Sequence, residues 1–196
     1  MKKITLSLIA VLAISLTANA QKPDVKIGAK TGLNVSNLTN SDGLSSRTSM
    51  HVGAVAEIFI TEKFSVQPEL LYSAQGAKSD FAIDGNGNFD FGKTTLKLDY
   101  ITIPVMAKYY IVKGLNIQAG PQFAFNVNAK VDSEDVKDEI KGFEFGVNFG
   151  AGYELPMGIF FDARYNVGVT DFAKKIDGVQ LKSKNGVFQL SVGYKF

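Results

Sequence analysis

Apolar and polar residues alternate along most of the chain, most cleanly in GFEFGVNFGAGYEL, residues 142–155. Phe143, Phe145, Val147, Phe149, Ala151, Tyr153 and Leu155 share one face; Glu144, Gly146, Asn148, Gly150, Gly152 and Glu154 share the other. A period of two marks a strand with two different environments. The pattern recurs at about 24–35, 50–60, 64–76, 95–109, 115–127, 159–170 and 186–196, which predicts eight strands. The segment at 50–60 is the least clean: Glu57 marks its polar face, yet Val55 and Phe59 share it.

The connections alternate in length. Thr61-Glu62-Lys63, Val112-Lys113-Gly114 and Pro156-Met157-Gly158 are short turns, whereas 36–49, 77–94, 128–141 and 171–185 read as long polar loops. This order puts the long loops at one end of an up-and-down barrel, the asymmetry of outer-membrane barrels. The polar face supports that medium. It is mostly Gly, Asn, Gln and Ser with scattered charges, which suits the narrow bore of an eight-stranded barrel. The other face is crowded with Phe and Tyr, too bulky to converge inside, so it is expected to meet lipid. A closed barrel then satisfies every backbone group in hydrocarbon. Tyr72, Tyr109, Tyr153, Tyr165, Tyr194 and Phe196 fall where interfacial girdles belong. The alternative is a soluble eight-stranded barrel with its apolar face inward.

The first residues, MKKITLSLIAVLAISLTANAQ, read as a secretory signal peptide over 1–20. Lys2 and Lys3 form a basic start, Ile4–Leu16 an apolar run and Ala18-Asn19-Ala20 a small-residue cleavage site. Residues 21–196 then form one barrel domain. No other apolar run is long enough for a membrane helix. There is no Cys, hence no lipoprotein acylation site and no disulfide framework. Without Lys2 and Lys3 the chain carries 19 basic and 19 acidic residues. That balance gives no reason to expect a nucleic-acid partner.

Candidate chemistry lies on the inner face. Lys26, Lys30, Glu57, Glu69, Glu144, Glu154, Asp162, Arg164 and Lys195 should point into the lumen. Buried charges must find partners, so a structural network is expected around Arg164, Glu69, Glu144, Glu154, Asp162 and Lys30. Arg164 is expected at its centre, because a guanidinium can clamp two carboxylates. Glu69, Glu144 and Asp162 are its candidate partners. The alternative use of these charges is a narrow pore for small polar solutes. A second alternative is a lipid hydrolase built on His51, the single histidine, which lies near Ser49. That chemistry requires His51 beside an inward Ser, Asp or Glu. One His and no Cys make a transition-metal site unexpected, and no catalytic, cofactor or metal residue is assigned. Asp84–Asn88, DGNGN, mimics the start of a calcium loop, but Phe89 replaces the sixth-position Gly and Thr95 the twelfth-position Glu. It is read as a hairpin tip, flanked by Phe81, Ile83, Phe89 and Phe91. VDSEDVKDEIK is read as a solvated loop or a helical turn capped by Ser133.

Taken together, KIGAKTGLNVS, FSVQPELLYSAQGAK, LDYITIPVMAKYY, GAGYEL, DARYNVGVT and the terminal GYKF resemble the PorT-type outer-membrane β-barrel proteins of Bacteroidota. The resemblance covers essentially all of residues 21–196. Thr102 stands in YITIP where such proteins often have an acidic residue. The alternating end of the chain, with Tyr194 and Phe196, resembles the C-terminal signal read by the outer-membrane barrel assembly machinery. The resemblance implies an integral outer-membrane protein in contact with lipid, with no cofactor. The role expected is non-enzymatic and structural or interactive, accessory to protein secretion or surface assembly. Secretion-system proteins are then candidate partners.

Overall fold

The structure is a computed structural model and describes residues 24–39, 44–79, 82–83, 89–90, 94–171 and 184–196. The alternating segments form eight long strands: β1 Val25–Thr39, β2 Leu44–Phe59, β3 Phe64–Ser79, β4 Thr94–Tyr110, β5 Leu115–Val131, β6 Phe143–Glu154, β7 Ile159–Gly168 and β8 Lys184–Lys195. Each pairs antiparallel with its neighbours in sequence. β8 returns to β1 in a register running from Gly28↔Lys195 to Thr39↔Lys184, which closes the ring. The eight-stranded antiparallel barrel read from the sequence is therefore the fold. The leader expected at 1–20 lies outside the described residues.

The two faces are inverted relative to a protein in water. Leu33, Leu70, Phe149, Phe161 and Leu190 on the outer wall are about half exposed, while Asn34, Gln67, Ser73, Asn148 and Gln189 inside are buried. A band of exposed apolar side chains around a polar interior is what a hydrocarbon environment stabilises. Aromatic pairs tie neighbouring strands together on that outer wall. Phe123–Phe145 and Phe125–Phe143 have ring centroids 5.6 and 5.4 Å apart, a geometry that adds cross-strand stability. Phe64 opposite Tyr109, Leu115 opposite Tyr153 and Ile159 opposite Tyr194 ring the short-turn end. Toward the other end, Tyr72, Ile101, Phe125 and Phe143 form one row across β3 to β6.

Several features differ from the sequence reading. Most strands run past the alternating segments at the loop end, and β1 and β2 leave only residues 40–43 between them instead of a loop over 36–49. The ladder persists there because Ser36, opposite Arg47, is a small inward hydroxyl that bonds the carbonyls of Arg47 and Gly76. The β3–β4 connection carries a two-residue ribbon, Ala82–Ile83 against Phe89–Asp90; Asp84–Asn88 lies outside the described residues. The β5–β6 connection contains a single 3-10 turn, Lys137–Glu139, which follows Val136 without any side-chain cap, so Ser133 does not cap it.

Aromatic rings also enter the bore, contrary to the expectation that they are too bulky. Tyr100, Tyr110 and Phe160 are buried inside. Both tyrosines reach a carboxylate, Glu144 and Glu57 respectively. Phe160 has space because Gly193 lies against it: a Cβ there would sit 2.3 Å from the ring.

Candidate functional site

The lumen is the only place where the fold gathers ionisable side chains against one another, among the described residues. They form two layers. In the first, odd-numbered strands contribute: Lys30 from β1, Glu69 from β3, Gln118 from β5, and Asp162 with Arg164 from β7. One Arg164 terminal nitrogen donates to Glu69 at 2.9 Å; the other lies 2.8 Å from both Glu69 and Asp162. Lys30 lies 2.9 Å from Glu69 and 3.8 Å from Asp162. Gln67 donates at 2.6 Å to Glu69 Oε1, the oxygen Arg164 also holds, and Gln118 donates at 2.9 Å to the remaining Asp162 oxygen, Oδ1. Two cations face two anions, so the layer is neutral.

The second layer lies nearer the short turns and uses the even-numbered strands: Glu57 from β2, Lys108 from β4, Glu154 from β6 and Lys195 from β8. Lys195 bonds Glu57 and lies 2.5 Å from Glu154. Lys108 is 3.3 Å from Glu57. Ser65 and Tyr110 complete Glu57 at 2.5 and 2.7 Å. These four groups balance; at the mouth Lys26, 2.9 Å from Glu154, adds a third, partly exposed cation. Layers drawn from alternate strands are how narrow barrels fill their interiors. Inward glycines make the crossings possible. A Cβ on Gly152 would lie 2.4 Å from the Asp162 carboxylate, which passes over it from β7 toward β5.

The six residues expected in one network therefore separate. Arg164, Glu69, Asp162 and Lys30 meet, whereas Glu154 belongs to the second layer. Glu144 does not join Arg164 at all; its partner is the Tyr100 hydroxyl. The reason is reach: Glu144 and Glu154 are at opposite ends of β6, ten residues apart, or roughly 30 Å of strand. Thr102 is buried on the inner face of β4. The sequence reading does not name Lys108 among the inward charges; Gln67 and Gln118 lie on the polar faces of their strands but are not expected in the network. Lys108 was legible by parity, since it alternates with Ala107 and Tyr109 of the outer face.

Above the charged layers the bore is filled with amides, hydroxyls and His51. His51 Nδ1 lies 2.8 Å from Asn34 Oδ1, and Nε2 lies 2.9 Å from Ser191 Oγ. Asn34 uses its amide nitrogen on Ser73 and on the carbonyl of Ala74. Its oxygen therefore accepts from His51 Nδ1–H, and Nε2 accepts from the Ser191 hydroxyl. Gly32 sits between the two in the same row, and a Cβ there would lie 2.7 Å from the imidazole. His51 thus has an inward serine beside it, Ser191 rather than Ser49; Ser49 instead donates to the Ala74 carbonyl. His51 is fully buried.

At the loop end Val136 and Ile140 pack on Ala77, Leu98, Tyr100, Ala124 and Ala129. At the turn end a recess of about 630 Å³ enters from outside and is lined inwardly by Tyr110 and Glu154. No group of three or more His, Cys, Asp or Glu side chains could hold a metal ion among the described residues.

A closed eight-stranded barrel with a lipid-facing wall and a polar, cross-linked lumen defines an integral outer-membrane protein. The chain belongs to the outer membrane protein beta-barrel domain family, whose pattern it matches over residues 19–174. Among solved structures it is similar to Neisserial surface protein A, at 16% identity and a TM-score of 0.52, covering 88% of this chain and 97% of that one. It is also similar to Ail of Yersinia pestis, at 14% identity and a TM-score of 0.49, covering 88% and 99%. OprG of Pseudomonas aeruginosa matches at 12% identity and a TM-score of 0.44, covering 88% and 94%. A search of curated proteins finds no match. The protein resides in the outer membrane, with its wall in lipid; the short turns of such barrels face the periplasm and the longer loops the exterior.

Proposed function

We propose that this protein is a stoppered, non-enzymatic barrel that anchors its outer loops or periplasmic turns for a partner. The observation that carries this reading is the pair of neutral layers crossing the bore. They tie opposite strands together and fill the bore with paired charges, which favours a scaffold over a pore. The PorT-type resemblance of the sequence supports an accessory role in protein secretion or surface assembly in a bacterium of the Bacteroidota. Under this reading residues 1–20 are a cleaved leader, and Tyr194 and Phe196 serve recognition by the barrel assembly machinery.

Crosslinked co-purification from outer membranes tests it, using a tag inserted between Asn86 and Gly87. Recovery of a stoichiometric envelope protein supports the scaffold. Recovery of the barrel alone, together with ion conductance in planar bilayers, would overturn it.

A second reading, a lumenal serine hydrolase, is favoured by one observation, the Ser191–His51–Asn34 chain of hydrogen bonds. Its order matches a nucleophile, a general base and an orienting group. Complete burial of His51 opposes it. Labelling by a fluorophosphonate that is lost in Ser191→Ala and in His51→Gln would establish this reading; an unlabelled folded barrel would remove it.

A further inference from the structure

With Lys26 at the mouth, the second layer has three cations for two carboxylates. Lys195 reaches both Glu57 and Glu154, and Lys26 closes on Glu154 at 2.9 Å, so two ammonium groups already answer both anions. Lys108 is the third, and its 3.3 Å contact with Glu57 is the longest ion pair of the layer. Its shorter contact is to an amide: Nζ donates at 3.1 Å to the side-chain carbonyl oxygen of Gln67. Lys108, Gln67 and Glu57 are 1%, 0% and 0% exposed. A buried ammonium without a counter-charge of its own is costly.

The strand ladder sets this meeting. Lys108 on β4 is opposite Ser65, and Gln67 on β3 is opposite Met106, so the two side chains are diagonal neighbours on the inner face, a spacing that long side chains bridge. Ser65 and Tyr110 donate to the Glu57 carboxylate at 2.5 and 2.7 Å and hold it beside the Lys108 amine. The Gln67 amide nitrogen is engaged elsewhere, on Glu69 at 2.6 Å, which leaves the carbonyl side of the group to Lys108. An amine, a carboxylate and a primary carboxamide thus converge in a site closed to bulk water.

We infer that Lys108 and Gln67 become joined by an isopeptide bond, with Glu57 as the acid–base group. Glu57 takes a proton from the Lys108 ammonium, which frees the nitrogen lone pair for attack on Gln67 Cδ. In the tetrahedral adduct both nitrogens are bonded to that one carbon, so a carboxyl that touches the first reaches the second. Glu57 gives its proton to the departing nitrogen, the Cδ–Nε2 bond breaks as the carbonyl reforms, and the new amide nitrogen sheds its extra proton. One amide replaces another, nothing is oxidised or reduced, and ammonia leaves with that proton as ammonium. The layer is left with Lys195 and Lys26 against Glu57 and Glu154. The bond also ties β3 to β4 beside a break in their pairing, which stops at Pro68↔Val105 and resumes at Leu71↔Thr102. Pro68 and Pro104, which carry no backbone N–H, stand at that break. The crosslink belongs to the barrel wall and holds whether or not a partner binds.

The test is peptide mapping of the full chain, purified folded from outer membranes, unfolded, digested and read by tandem mass spectrometry. The expected product is a branched peptide in which Lys108 is joined to Gln67, lighter by one ammonia than the two linear peptides together. Lys108→Arg keeps a cation beside Glu57 and is expected to lose the branched peptide. Glu57→Gln, taken from the folded gel band, is expected to keep Lys108 and Gln67 unjoined. Linear peptides with unmodified Lys108 and Gln67 from the unaltered folded barrel would overturn the proposal, and that readout needs no variant to fold. A branched peptide at Gln67 that persists in Lys108→Arg would overturn it too, by assigning the bond to another amine. Full crosslinking in Glu57→Gln would overturn the role given to Glu57.

Discussion

Arg164 and Glu69 are 95 residues apart and meet across the full width of the barrel, one on β7 and the other on β3, with the two terminal guanidinium nitrogens 2.9 and 2.8 Å from the carboxylate oxygens. In an eight-stranded ring these strands are diametrically opposite. The pair is therefore a crossbar, and Lys30, Asp162 and Gln118 brace it from β1, β7 and β5.

Removing one end of the crossbar leaves a buried charge without compensation. Arg164→Met is expected to destabilise the barrel by about 3–5 kcal/mol, read as a lower urea midpoint of the folded gel band. The double change Arg164→Met with Glu69→Met is expected to recover part of that loss. Strict additivity of the two single changes would show that the residues are not coupled.

Conductance offers a separate reading of the stopper. The unaltered barrel is expected to be silent in planar bilayers. Replacing Val136 and Ile140 by Ser should leave it silent, because both charged layers remain. Adding Arg164→Ala and Glu69→Ala to that variant should open measurable steps. Steps from the Val136/Ile140 change alone would place the barrier in the outer cap instead.

Glu144 is held by the Tyr100 hydroxyl and, among the described residues, forms no ion pair within 4 Å. Tyr100→Phe is expected to cost about 1–3 kcal/mol by leaving a buried acceptor unmet. Glu144→Gln should cost less, since an amide oxygen still accepts that hydroxyl. Thermal loss of the folded band in detergent ranks the two; the reverse order would deny the hydrogen bond its stabilising role.

Gly32 should resist any side chain. A Cβ there would meet the Leu190 carbonyl oxygen at 2.0 Å and the His51 ring at 2.7 Å. Gly32→Val is expected to cost about 1–3 kcal/mol through overpacking and to separate His51 from Ser191. Histidine ring resonances by NMR would report the lost contact. A fully folded variant with unchanged resonances would show that the wall yields freely at this point.

By itself the sequence determined the ring. The period of two around Phe143–Glu154 and its seven counterparts sets which atoms meet lipid, because side chains on a strand can take only two directions. It also determined that Arg164, Glu69, Asp162 and Lys30 face the lumen, since parity decides that. Tertiary structure decided who meets whom. Strand stagger is a property of the closed ring, so Glu144 and Glu154, equivalent by parity, fall in different surroundings, and His51 meets Ser191 rather than Ser49. Packing across the bore also overrode size: Tyr100, Tyr110 and Phe160 turn inward because a carboxylate or a glycine on another strand receives each of them. That complementarity exists only once strands distant in the chain have closed around the same axis.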